Sequence, residues 1–265
     1  MSQSSLLHAA IAVGLLALAA LTAATAEPAC VAETYTTVCR NGEHELRVIR
    51  DTVSPSGHYG VAWEVPDDGS AEEWEQNGEK DGSKLAATYD GSRKDKDRVR
   101  NFLVHLPDGN PIRRLGGDHM GDHPSYNHRE LEVTWSPDER FVAILNQSKW
   151  TTDVSEVYVV SGNVTTKAGS LVPICMSATK AEVAKRRRKG GEGYVALVAV
   201  SSIKNDGTLL AKCLMNQIKK DSFDMGIQVK IAPTGNGTQL IRAKLCADDE
   251  TAGICANRSE REAIE

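Results

Sequence analysis

The sequence predicts a mainly antiparallel β protein carrying one helix, and three observations lead there. Short apolar runs bounded by Ser-Pro, Asp-Gly and Asn-Gly punctuation recur along the chain, as in HELRVIRDTV, VSPSGHYGVAWEV and LEVTWSPDERFVAILNQ. Two of these stretches share one grammar, with Ser54-Pro55 and Ser136-Pro137 marking a turn just before a strand. Only the window ATKAEVAKRRRK, Ala178 to Lys189, reads as a helix, with Ser177 as cap, a cationic last turn and Gly190-Gly191 as stop.

Taken in order, His44–Val53 and Tyr59–Val65 read as strands around the Ser54–Gly57 turn. The stretch Pro66–Arg98 is dense in glycine and charge with scattered apolar residues, so it reads as a long surface excursion. Val99–Leu106 resumes the strand pattern, and Pro107-Asp108-Gly109-Asn110 turns the chain before PIRRL. Leu131 opens the second copy: LEVTW, the SPDER turn, FVAILNQ, then SEVYVVSG from Ser155 to Gly162 with half-buried alternation. After the helix, GYVALVAVSSI and TLLAKCLMNQI flank Lys204-Asn205-Asp206-Gly207, and GIQVKIAP and TQLIRAKL flank Thr234-Gly235-Asn236-Gly237. Both read as hairpins.

SPDERFVAI followed by SEVYVVSGN, and SPSGHYGVAW followed by NFLVHLPDGN, resemble the blade units of exported β-propellers related to the TolB-like and WD40-like repeats. The resemblance covers Leu46 to Asn163 and two units. It implies four-stranded antiparallel blades that stack because one blade cannot bury both its faces alone. Glu139 stands where that family usually has Gly, Ser56 stands where it has Asp, and no third Ser-Pro follows. The expected form is therefore an open, incomplete propeller-like arrangement, with a β-sandwich as the alternative.

Residues 1–26 read as a signal peptide: an apolar centre from Leu15 to Leu21 and the small exit Ala24-Thr25-Ala26, without a basic start. Beyond them, 27–170 reads as the propeller-like domain with its charged insertion at 66–98, and 171–265 as the helix and hairpins packed on it. No later apolar run reaches membrane-spanning length. The net charge of −5 argues against binding a phosphate backbone, so nucleic acid is not an expected partner. Export, to a periplasm or the extracellular space, makes the six cysteines candidates for disulfides. Equal spacing near the two ends suggests Cys30–Cys39 and Cys246–Cys255, leaving Cys175–Cys213; six cysteines allow about fifteen connectivities, so this is a preference.

Two loops stand out for function. GGDHMGDHPSYNH gathers Asp118, His119, Asp122, His123 and His128, residue types that could hold zinc and support a metal-dependent hydrolase. Its glycines and proline fit a polar loop better than a ligand-aligning helix. Trp74, alone in the charged excursion, is a natural contact residue. KRRRK, Lys185 to Lys189, reads first as a solvated helix end and second as an anion-binding patch. N-x-Ser/Thr triplets begin at Asn146, Asn163, Asn236 and Asn257 and matter only in a cell that glycosylates exported proteins. No nucleophile elbow, H-E-x-x-H or phosphate-binding loop is present. The expectation is a non-enzymatic exported protein, needing no cofactor, that binds a protein or glycan through Trp74, His119, His123 and His128, with the hydrolase as its rival.

Overall fold

A computed structural model of the chain describes residues 29–33, 36–42, 44–64, 99–117, 130–148, 151–187, 194–217, 222–234 and 237–245. Among them fourteen strands and one α-helix form three antiparallel sheets, each a meander whose strands lie side by side in chain order. Sheet 1 holds β1 (Cys30–Ala32), β2 (Thr37–Asn41), β3 (His44–Val48), β4 (Tyr59–Glu64), β5 (Arg100–His105) and β6 (Asn110–Arg114). Sheet 2 holds β7 (Glu130–Trp135), β8 (Phe141–Gln147), β9 (Thr152–Ser161) and β10 (Val164–Ser170). Sheet 3 holds β11 (Tyr194–Ile203), β12 (Thr208–Gln217), β13 (Phe223–Thr234) and β14 (Gly237–Leu245). The two expected C-terminal hairpins are thus halves of one four-stranded sheet, because β12 also pairs with β13 along eight registered residues.

The two Ser-Pro turns are built alike. Ser54 donates its amide to Tyr59 O (2.8 Å) and its hydroxyl oxygen accepts the Tyr59 amide (3.0 Å). Ser136 does the same with Phe141, at 2.9 and 3.0 Å. The residue three after each serine has a positive φ, 78° at Gly57 and 60° at Glu139. Serine is needed because its side chain satisfies the amide that the turn leaves without a backbone partner. Each turn then feeds a strand that lies second in a four-strand meander, β3–β6 and β7–β10.

Sheet 2 lies between the other two. The run FVAIL at the start of β8 has no polar alternation, which a strand covered on both faces does not need. Val142, Ile144, Tyr158 and Val160 pack on Tyr59, Val61, Trp63 and Leu103 of sheet 1. Ala143, Leu145 and Val157 face the other way, onto Val198, Leu209, Ala211 and Ile227 of sheet 3. The residues of β4 one turn-equivalent earlier, Tyr59, Val61 and Trp63, point to sheet 2 as Phe141, Ala143 and Leu145 point to sheet 3. Each fully buried valine, leucine or isoleucine among them contributes about 1.5–3 kcal/mol of transfer free energy.

The far face of sheet 1 is covered by the sheet itself. It curls until Asn41, at the end of β2, donates to the side chain of Asn110 at the start of β6. Leu46, Val48, Ala62, Phe102 and Val104 cluster inside with Cys39. Cys30 and Cys39 stand directly opposite each other in the β1–β2 ladder and are disulfide-bonded. Cys175 and Cys213 form the second bond, tying the helix to β12. Both match the sequence expectation, whereas Cys246 and Cys255 lie outside the described residues.

The helix corrects the sequence reading. This helix, α1, runs from Leu171 to Arg187, not from Ala178, so Ser177 is an interior residue and not its cap. Its first turn is capped from β9, where Ser155 Oγ accepts the Val172 amide at 3.0 Å. Pro173 is tolerated there because first-turn amides have no intrahelical partner. Leu171, Cys175, Thr179 and Val183 are buried, one residue per turn along a single stripe. That stripe covers the part of sheet 3 that sheet 2 leaves open, with Val183 on Ala196 and Met215. No helix among the described residues is long and apolar enough to cross a membrane.

Candidate functional site

Strand direction gives the stack two unlike ends. At one end lie the turns 54–58, 106–109, 136–140, 162–163 and 204–207, which join neighbouring strands and bond to one another. At the other, β4 leaves at Glu64 and β5 returns at Val99, while β6 leaves toward Gly117 and β7 returns at Glu130. The connections carrying Trp74 and the histidine loop therefore both depart from the second end. Trp74, Asp118, His119, Asp122, His123 and His128 themselves lie outside the described residues.

The described rim of this loop end is polar and tightly buried. Asn101 on β5 and Asn146 on β8 face each other between sheets 1 and 2, at 1% and 4% exposure. Gly117 closes over them: a Cβ at that position would stand 2.6 Å from Asn146 Nδ2 and 2.9 Å from Asn101 Oδ1. No side chain larger than hydrogen fits there without displacing both amides. Asn146 Nδ2 is buried with no hydrogen-bond partner among the described residues. A stranded amide donor is costly in a folded interior and commonly marks a place where something else completes the bond. It lies where the chain runs into the histidine loop.

A second polar arrangement seals the edge of sheet 3. The outward amide and carbonyl of Val198 meet Thr152 Oγ1 (2.9 Å) and Gln147 Nε2 (3.0 Å). Those of Val200 meet Glu132 Oε1 (3.2 Å) and Thr134 Oγ1 (3.5 Å). Sheet 2 side chains thus replace a neighbouring strand and blunt an edge that would otherwise recruit one. Burial pushes the Glu132 carboxyl up more than the Val200 amide pulls it down, and Glu130 adds to the rise. Since Glu132 Oε2 also accepts from Gln147 (3.3 Å), both oxygens are used structurally. Sequence reasoning missed this seam because its partners are separated by 46 to 68 residues.

The turn end satisfies its own polar groups. Glu139 accepts from both the amide and the hydroxyl of Ser56, the latter at 2.6 Å, and Ser56 Oγ shares a 2.8 Å hydrogen bond with His58 Nδ1. Burial alone would raise the Glu139 carboxyl; the Ser56 and Ser54 hydrogen bonds and nearby His58 outweigh it and hold the group below its ordinary value. Asn205 accepts from the Asp138 amide (3.1 Å) and from Arg140 Nη2 (2.6 Å). A serine, a histidine and a carboxylate meet here, with Ser56 bonded to both of the others and His58 Nδ1 3.7 Å from Glu139 Oε2. These contacts join the 54–58 turn of sheet 1 to the 136–140 turn of sheet 2. Among the described residues no group of three or more His, Cys, Asp and Glu could hold a metal ion.

Compared with protein-family models, with curated proteins and with solved structures, the chain matches none.

Proposed function

We propose that the protein is an exported, non-enzymatic binding module whose sheets are propeller-type blade units and whose loop end engages a protein or glycan. The observation that carries this reading is the asymmetry of the two ends. One end consists of short turns bonded to each other, while both long connections leave from the other, beside the Asn146 side-chain amide, which has no hydrogen-bond partner among the described residues. Rigid stacked sheets with long loops at one end are a common arrangement for recognition. The blade reading is supported by the paired Ser-Pro turns and by corresponding faces of β4 and β8 packing onto the next sheet. Export is supported by the two disulfides, which persist in oxidising compartments.

The test is a glycan microarray and a displayed peptide library, each probed with the purified protein and with Trp74→Ala. The expected result is a signal that falls roughly tenfold or more in the variant, as for a contact hot spot, at an unchanged melting temperature. Metal analysis of the same preparation tests the rival, and no bound zinc is the expected result. Stoichiometric zinc that disappears in His119→Ala/His123→Ala, together with hydrolysis of a model ester, would replace the binding reading with an enzymatic one.

A further inference from the structure

Two of the four N-x-Ser/Thr triplets lie wholly among the described residues, and the fold treats them in opposite ways. Asn146 of the first is buried near the end of β8, between sheets 1 and 2. The hydroxyl of Ser148 in that triplet has structural work, meeting Thr151 O at 3.2 Å and Thr151 Oγ1 at 2.8 Å. Burial keeps Asn146 from being an exposed acceptor, and the Ser148 hydroxyl has its partner within the fold.

In the second triplet, Asn163 sits at the tip of the β9–β10 hairpin, after Gly162 at φ 54°. Asn163 is exposed, and Val164 beside it is 65% exposed. Asn163 Nδ2 donates one hydrogen to Asp108 Oδ2 at 3.0 Å, leaving its second free of that bond. Thr165 stands in β10 opposite Val160. Its hydroxyl is buried and has no hydrogen-bond partner among the described residues. Valine has nearly the same shape, favours strands equally and would strand no hydroxyl. Nothing among the described residues uses the Thr165 hydroxyl, whereas the acceptor triplet requires a hydroxyl there.

We propose that Asn163 is an N-glycan acceptor, with Thr165 retained for the modification and not for the fold. In the transfer, the Asn163 amide nitrogen displaces the diphosphate of a lipid-diphosphate-linked oligosaccharide from the anomeric carbon. A carbon–nitrogen bond forms, the carbon–oxygen bond to the lipid diphosphate breaks, and one amide proton leaves. The remaining N–H keeps the Asp108 contact. The sugar then stands on the turn end and leaves the loop end uncovered. This goes beyond the binding reading and needs only entry into a glycosylating secretory route.

The experiment places a strong cleavable leader before the full chain in a cultured animal cell and collects the secreted protein. Peptide-N-glycosidase in heavy-oxygen water converts each glycosylated Asn to a labelled Asp, read by mass spectrometry. Label is expected at Asn163 and absent from Asn146, and lost from Asn163 in Thr165→Val. Secreted protein unlabelled at Asn163 would overturn the proposal. A second measurement uses unglycosylated protein refolded from bacteria, where Thr165→Val is expected to raise the melting temperature. A lower melting temperature would show that the fold uses the hydroxyl, removing the observation on which the proposal stands.

Discussion

Glu139 keeps a backbone conformation that costs an ordinary residue roughly 1 kcal/mol or more, at the position where the matching turn has Gly57. Its carboxylate explains the exception, because it reaches the Ser56 amide and hydroxyl across the sheet 1–sheet 2 boundary, which no glycine could do. Hydrogen bonds to a charged group contribute about 1.5–3 kcal/mol each, so they outweigh the strain. Glu139→Gln is expected to destabilise the protein by about 1–2 kcal/mol at neutral pH, measured by urea denaturation. The folded-state pKa is depressed, so this stability is complete above the ordinary value of 4.5 and is lost as pH falls through the folded value. The wild type and Glu139→Gln should therefore converge in acid; a gap that persisted unchanged there would exclude the carboxylate as its origin. Glu139→Gly should also destabilise, by less than the lost hydrogen bonds alone, since it relieves the strained φ.

At the scale of elements, chemistry from distant segments decides what local pattern cannot. Thr152→Val should leave the Val198 amide buried without a partner and cost about 1–3 kcal/mol, read as a lower urea midpoint at an unchanged slope. The disulfides should differ in value, because Cys175–Cys213 closes a span of 38 residues and Cys30–Cys39 a span of 9. Loop entropy assigns about 4 kcal/mol to the first and about 2.5 kcal/mol to the second, so the Cys175→Ala/Cys213→Ala pair should melt lower than Cys30→Ala/Cys39→Ala. Equal losses would show that the folded-state contacts, and not the unfolded chain, dominate. The strands around both Ser-Pro turns were legible in the sequence, since Ser54 and Ser136 act within five residues of themselves. The start of α1 was not, because its cap is Ser155, 17 residues before the Val172 amide it accepts, and Ser177 offered a better local signal. β10 escaped notice as VTTKAGS, a polar edge strand with little periodicity. Trp74 and the histidines of 119–128 are visible in the sequence as composition, whereas the Asn101–Gly117–Asn146 contact exists only once sheets 1 and 2 are packed.

The whole molecule is a stack in which sheet 2 contributes to two cores at once, and neighbouring residues of β8 belong to different ones. Ile144, 2% exposed, lies in the core shared with Trp63 and Trp135, while Leu145, 0% exposed, lies in the core shared with sheet 3 and α1. Truncating either leaves a cavity, and Ile144→Ala and Leu145→Ala should each cost about 3 kcal/mol. The informative comparison is between probes. Of the four tryptophans Trp63 and Trp135 lie in the first core, so in a Trp74→Phe/Trp150→Phe background fluorescence reports on that core, whereas far-ultraviolet circular dichroism averages over all three sheets. If the shared strand makes the stack one cooperative unit, damage at the sheet 3 side must be felt at the tryptophans. Leu145→Ala should then move the fluorescence and dichroism midpoints down together, by the same amount as each other. A fluorescence midpoint left at the wild-type value while the dichroism midpoint falls would mean that sheet 3 and α1 unfold on their own. The side-chain seam of Thr152, Gln147, Glu132 and Thr134 argues for the first result, because it fastens β11 to sheet 2 along both polar groups of Val198 and Val200.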